Sequence, residues 1–300
     1  MVVRRLAIAA ALCVIATVAW ADALKLDGTL TEGALIRGFA GPGAHIALDG
    51  KTVRVAPDGH FIFGFGRDAP ARASLDVIFR DGKRLHRVLD VVVRHYGVRR
   101  IENLPPAEVT PPPEVMARIK REAAEIDVAF AQQSDSVAFE TPLEWPVTGT
   151  ITGVYGVGTF LNGQRRQPHL GVDISAPAGT PIKAADAGIV SLAEQSLFFT
   201  GGTVIIDHGY GLSTLYIHLQ NIAVHVGDRV TRGEIIGEVG ETGRATGPNL
   251  HWGLVWNGVR LDPALAVGPM PQPNAANPAT AGAARTTAPA AAVPILPPPR

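Results

Sequence analysis

The sequence predicts an all-β protein with one connecting helix, and three observations carry that reading. Gly (33) and Pro (24) are plentiful while charged residues make up only 18% of the 300 residues, a mixture that favours short strands and turns over long helices. Asp-Gly steps punctuate alternating apolar runs through the first third of the chain. One stretch alone carries apolar residues at helical spacing. With 46% hydrophobic content, the chain can build two modest domains, each burying its own core.

The first element is a leader. Arg4 and Arg5 form a basic start, Leu6 to Val18 an apolar run, and Ala19-Trp20-Ala21 a small-x-small cleavage signal, so residues 1–21 are expected to be a signal peptide. The apolar run is shorter than the roughly 20 residues that a bilayer-spanning helix needs. No stable membrane insertion is therefore expected after cleavage; an uncleaved anchor is the alternative. Cys13, the single cysteine, follows Leu12 rather than the small residue that a lipoprotein signal requires. The mature chain then holds no cysteine, and any metal site must be built from His and carboxylates. An exported, periplasmic or cell-envelope location is expected. Lys plus Arg (27) equals Asp plus Glu (27), which gives no electrostatic footprint for a nucleic-acid partner.

Residues 24–103 are expected to form a small antiparallel β-sandwich-like domain. Alternating runs are joined at Asp49-Gly50, at Pro57-Asp58-Gly59 and at Asp81-Gly82, each a hairpin signal. His45, His60, His86 and His95 fall here at spacings that point to no site. Between Arg80 and Arg100, seven basic residues face only Asp81 and Asp90; a solvated face is the expectation, with contact to an anionic wall polymer as the alternative. Residues 104–140 combine a Pro-rich linker with an amphipathic helix of about 20 residues. Val115, Ile119, Ile126 and Phe130 mark its apolar face, and Thr110 with the prolines its start. The β pattern returns over 141–265. Beyond it, residues 266–300 turn to Pro, Ala and Thr, a tail expected to be disordered.

Chemistry concentrates in the second β region. QPHLGVDISAPAG sets His169 four residues before Asp173, GPNLHWGL places His251 on an expected strand, and STLYIHL carries His218 between them. Two imidazoles and a carboxylate suffice to hold Zn²⁺ with a fourth position open. Residues four apart on an extended strand are separated by about 13 Å, so His169 and Asp173 converge only if the chain bends, and Gly171 is the natural place.

Taken together, HLGVDISAPAGTPIKAADAGIV, GGTVIIDHGYGLSTLYIHL, VGDRVTRGEIIGEVGETG and TGPNLHWGL, in that order, resemble the lysostaphin/LytM-type zinc endopeptidases. The resemblance implies a C-terminal, mostly antiparallel β peptidase domain of the barrel-sandwich or duplicated hybrid type, with its site in an open groove. Carried over by position, His169, Asp173 and His251 bind zinc, and His218 in Tyr216-Ile217-His218-Leu219 is a catalytic histidine. The implied reaction is zinc-dependent hydrolysis of peptide cross-links in bacterial peptidoglycan, with peptidoglycan as the partner. Phe198, Phe199, Arg244, Trp252 and Trp256 are candidates to line the groove, with core packing the alternative for the aromatics; His208 and His225 read as structural.

The family pattern His-x-His is Asn249-Leu250-His251 here. Residues two apart on a strand share a face, so Asn249 is expected beside the metal ligand. An amide can hydrogen-bond a developing oxyanion but accepts no proton at neutral pH. Losing one general acid–base group typically costs about 10²–10⁴ in rate. His218 is then the expected base and Asn249 the hydrogen-bond donor to the scissile carbonyl. The rival reading is a weakened or inactive module that binds cell wall or regulates another hydrolase. A second rival, a biotinyl or lipoyl carrier suggested by IKAADAGIVSLAEQ and VGDRVTRGEIIGEVG, lacks the modifiable Lys at its expected place.

Overall fold

A computed structural model describes residues 24–103 and 112–271. The expected leader, most of the Pro-rich linker and nearly all of the Pro/Ala-rich tail lie outside the described residues. Among the described residues no helix is long and apolar enough to cross a membrane.

The first third of the chain forms two antiparallel sheets. One joins β1 (Lys25–Asp27), β2 (Leu35–Phe39) and β5 (His60–Gly64). The other runs β4 (Lys51–Val53), β3 (His45–Leu48), β6 (Arg72–Ile78), β7 (Arg84–Asp90). Side chains alternate in and out along β3 and β6, and Ile46, Leu75 and Val77 meet Ile36, Phe61 and Phe63 in a shared core. The β3–β4 hairpin closes at Asp49 (φ 47°) and Gly50 (φ 74°), the two left-handed positions that a tight two-residue turn demands. The β6–β7 hairpin turns at Asp81-Gly82 as expected. The turn at Pro57-Asp58-Gly59 departs from the hairpin expectation. It is closed by an isolated Val55–Phe61 bridge, and β5 then pairs with β2 in the facing sheet. Phe61, Ile62 and Phe63 are all buried; that strand is covered on both faces, which a surface hairpin could not offer.

After β8 (Val98–Ile101), the single described α-helix, α1 (Pro113–Ala131), begins at two prolines that need no amide partner in its first turn. Its buried face is Ile119, Glu122, Ile126, Ala129 and Phe130. Glu122 is fastened rather than stranded: it accepts hydrogen bonds from Arg118 and from the Phe198 amide, at 2.5 and 2.7 Å.

The remaining strands are β9 (Thr150–Gly153), β10 (Gly158–Leu161), β11 (Gln164–Arg166), β12 (Val172–Ser175), β13 (Pro181–Lys183), β14 (Gly188–Leu197), β15 (Gly201–Gly209), β16 (Leu212–Ile222), β17 (Arg229–Val230), β18 (Ile235–Val239), β19 (Asn249–Trp256) and β20 (Val259–Leu261). Ten of them make one sheet whose main path is β17-β14-β15-β16-β19-β12-β9. The period of two decides what each face meets. Ile205, Leu215, Ile217 and Val255 pack against Ile126, Ala129 and Phe130 of α1, while Val204, Ile206, Tyr216 and Leu254 join the central core. Strand β8 pairs in parallel with β10, so residues of the N-terminal stretch extend the β10–β11 hairpin. Arg94 Nη1 and the buried Asp262 Oδ2, 2.8 Å apart, fasten the same two parts of the chain.

Candidate metal centre

Strands β12 and β19 pair so that Asp173 lies directly across from His251, and residues directly opposite project to the same side. That side is also the side of Ile217, the partner of His251 on β16, so the centre shares a sheet face with the α1 contact. His169 comes from the loop before β12. Its amide donates to Val157 O (2.9 Å) and its carbonyl accepts from Gly156 (2.7 Å), which fixes the loop against the β9–β10 connection.

The bend between His169 and Asp173 does fall at Gly171, for a reason of space. A Cβ there would lie 2.5 Å from both Trp252 O and His251 Nε2. Any side chain would hold the loop off β19 and separate the three groups.

His169 Nδ1 lies 2.9 Å from Val154 O. A carbonyl only accepts, so Nδ1 carries the proton and Nε2 presents a lone pair. That lone pair lies 3.0 Å from Asp173 Oδ1 and 2.9 Å from His251 Nδ1, and these two are 2.7 Å apart. All three residues are buried. Two imidazole nitrogens and a carboxylate oxygen brought this close out of water need a proton or a cation among them. Burial alone would push Asp173 up, but its contacts with His169 and His251 hold it well below the usual carboxylate range. Burial likewise opposes a charged His169, and Asp173 outweighs it to raise that ring; His251 stays lowered by its burial despite Asp173. The triad thus balances charge within itself, and its donor set of two imidazoles and one carboxylate suits a tetrahedral zinc with one open position.

His218 is delivered by a bulge. Ile217 pairs with Thr203 and Leu219 with Gly202, leaving His218 as the extra residue, at φ 72°. Its amide donates to Thr200 O (2.9 Å) and its Nδ1 to Thr242 O (2.8 Å), which leaves Nε2 unprotonated. Burial pushes its pKa down to about 4 despite the Thr242 carbonyl, and the ring lies within Coulomb range of His251 and Asp173. A non-glycine residue in the left-handed region is costly, by about 1–3 kcal/mol, and persists only where its surroundings over-determine it. The Thr200 and Thr242 carbonyls do so here.

Asn249 opens β19 two residues before His251, opposite Ser175, with its amide donating to Gly240 O (3.0 Å). One Nδ2 proton is taken by Gly247 O at 2.8 Å. The side chain is part-buried. Of the groove candidates, Trp252 and Trp256 belong to the core instead. Trp252 alternates with His251 to the opposite face and packs on Trp145, ring centroids 5.6 Å apart. Phe198 and Phe199 sit half-buried at the β14–β15 tip, with Arg244 over the Phe199 ring. His208 is buried between Ala187 O and Thr214 Oγ1, and His225 is exposed beside Asp228.

Sequence reasoning missed Arg99. It lies on β8 across from Thr159 and within Coulomb range of both Asp173 and His169, although it is 70 residues or more from them in sequence. The signal was the basic run, which carries no address. It also missed a part-exposed group of Asp58, His60 and Glu140, joined only by folding.

Residues 167–263 match the sequence profile of Peptidase family M23. Over 95 residues the chain is 44% identical to peptidoglycan DD-endopeptidase ShyC of Vibrio cholerae, a match covering 32% of this chain and 22% of that protein. Over 162 residues it is 33% identical to the cell division protein DipM of Caulobacter vibrioides, covering 54% of this chain and 25% of that one. The chain thus matches about a quarter or less of the length of these curated relatives. A crystal structure of a peptidase M23 candidate from Pseudomonas aeruginosa superposes with a TM-score of 0.62 at 30% identity, over 81% of this chain and 96% of the other.

Proposed function

This chain belongs to peptidase family M23, and we propose that it is a zinc-dependent endopeptidase that hydrolyses peptide cross-links of bacterial peptidoglycan. The observation that carries the reading is the buried triangle of His169 Nε2, His251 Nδ1 and Asp173 Oδ1, three potential ligand atoms within 4.8 Å of one another. These residues would hold the ion, which when bound polarises the scissile carbonyl and lowers the pKa of water. The peptidoglycan substrate follows the relatives' names and stays part of the proposal. The leader pattern of residues 1–21 supports export to the periplasm or envelope. Residues 24–103, 104–140 and 141–265 are proposed as sandwich, connector and catalytic parts.

The proton chemistry falls to His218. Its Nδ1 is tied to Thr242 O, so Nε2 is the acceptor. It takes a proton from the attacking water and returns it to the departing amine nitrogen as the C–N bond breaks. A ring that binds a proton weakly also releases it readily. Asn249 keeps one Nδ2–H beyond its bond to Gly247 O, and that group donates to the carbonyl oxygen as negative charge develops.

One observation favours a second reading, a weakened module that binds wall or regulates another hydrolase: Asn249 cannot accept a proton. Digestion of purified cross-linked sacculi separates the two. Zinc-loaded protein should release cross-link-derived muropeptides, and chelator or His251→Ala should abolish the release. Identical profiles from wild type and His251→Ala reject the hydrolase and leave the binding module.

A further inference from the structure

A cleft of about 510 Å³ lies between the loop at Gly66–Asp68, the end of α1 and the β19–β20 turn, with Arg260 of its lining within Coulomb range of His251. A volume of that size accommodates a short peptide or a small ligand. Its far wall includes Gln167 and Leu170, which bracket His169 in sequence.

Arg260 lines this cleft and is poorly provided for. Its backbone carbonyl accepts from Tyr155 Oη at 2.8 Å, and its guanidinium lies 4.5 Å from the Phe130 ring centroid. Nη1 is buried and has no hydrogen-bond partner among the described residues. Burial lowers the group to about 10, against the opposing pull of Asp127 and Tyr155. Arg260 is half-buried and lines the cleft, and its guanidinium has no hydrogen bond among the described residues, so the donors beyond the buried Nη1 are open to something that enters the cleft. The other lining cation, Arg67, is already committed to Asp68 and to Gly156 O.

The rest of the lining suits a peptide. Gln133 Nε2 donates to Asn257 Oδ1 at 2.9 Å, which leaves Gln133 Oε1 as an acceptor and Asn257 Nδ2 as a donor. Phe130, Leu170 and Val255 add apolar surface between these polar groups.

We propose that this cleft binds the free carboxylate end of a short peptide, with Arg260 as the anchor and the Gln133–Asn257 pair contacting peptide amides. That the peptide comes from the cell wall rests on the function proposed above; the carboxylate chemistry does not. Asp127 lines the same cleft and repels such a ligand, so its removal tightens binding.

The test is binding by the full chain, read by isothermal titration and by amide chemical shifts, with zinc removed by chelator and again with zinc present. The probes are acetyl-D-alanyl-D-alanine, its C-terminal amide, and acetate. The acid should bind with or without zinc, shifting amides around Gln133, Asn257 and Arg260, and the amide should bind at least ~10-fold more weakly. Arg260→Met should abolish the preference for the acid, and Asp127→Asn should tighten the acid about 2–5-fold by removing a nearby like charge. Should Arg260→Met fail to fold, Asp127→Asn, at an exposed position, carries the test. Equal binding of acid and amide, weaker binding by Asp127→Asn, or shifts confined to the zinc triad would each overturn the site. Acetate binding as tightly as the peptide would overturn the peptide assignment. Sacculus digestion on the same preparation keeps the two proposals separable, because binding is read without the zinc that cleavage needs.

Discussion

Replacing Gly171 by Ala adds one methyl group at the point where the loop crosses β19. That methyl would sit 2.5 Å from the Trp252 carbonyl and 2.5 Å from His251 Nε2. An ordinary contact is about 3.4 Å or more, so loop and strand must part by roughly 1 Å. One obstacle is backbone in a central strand and the other is the ring of a triad member, and neither has slack. Zinc sites hold their ligand distances to about ±0.2 Å, so a shift of roughly 1 Å exceeds the tolerance several-fold. Disturbing ligand orientation in this way typically costs about 10–100-fold in metal affinity, and overpacking adds about 1–3 kcal/mol of destabilisation. Zinc affinity is measured by competition with a chromophoric chelator, and stability by urea unfolding of the metal-free protein. Gly97→Ala is the control, since a Cβ there meets nothing within 4 Å and should change neither value. If Gly171→Ala bound zinc within twofold of wild type, the view that close backbone approach assembles the site would be wrong.

Further outcomes follow from the same geometry. Asn249→His should raise the cleavage rate or leave it unchanged, and a sharp fall in a sacculus assay would show that the amide has a role imidazole cannot fill. Arg99→Gln should tighten zinc binding about 2–5-fold, because it removes a half-buried cation beside Asp173 and His169; weaker binding in chelator competition would refute that sign. In the metal-free protein, burial lowers His218 to a folded pKa of about 4, against about 6.5 for an imidazole in water. The unfolded chain therefore binds the proton first, and the stability held above pH 6.5 falls as pH drops, by about 3 kcal/mol at pH 4. Urea midpoints of wild type and His218→Gln across pH 7 to 4 measure this, and parallel curves would contradict the burial argument.

Much of the architecture was legible from local chemistry. Asp49-Gly50 specifies a turn because both residues must adopt φ > 0, and the spacing of Ile119, Ile126 and Phe130 marks a helix face. Hairpin and helix signals are short-range, so they survive without knowledge of the neighbours. The Pro57–Gly59 turn shows the limit. Its residues specify a reversal, but the sheet that the next strand joins depends on which partner buries Phe61 and Phe63. Trp252 and Trp256 show another, since an aromatic beside a motif reads alike whether it lines a groove or fills a core.

For the candidate metal triad of His169, Asp173 and His251, the sequence alone determined the residue types, their order and the need for a bend at Gly171. It could not determine that Asp173 and His251 are cross-strand partners, that Val154 O sets the His169 tautomer, or that a bulge turns His218 inward against Thr242 O. Those features rest on backbone carbonyls, which every residue carries, and on strand register between segments tens of residues apart. Arg99 and the Arg260 cleft belong to the same class. Each arises where separate stretches of chain meet, and the charge on a side chain has no address until the tertiary structure supplies its neighbours.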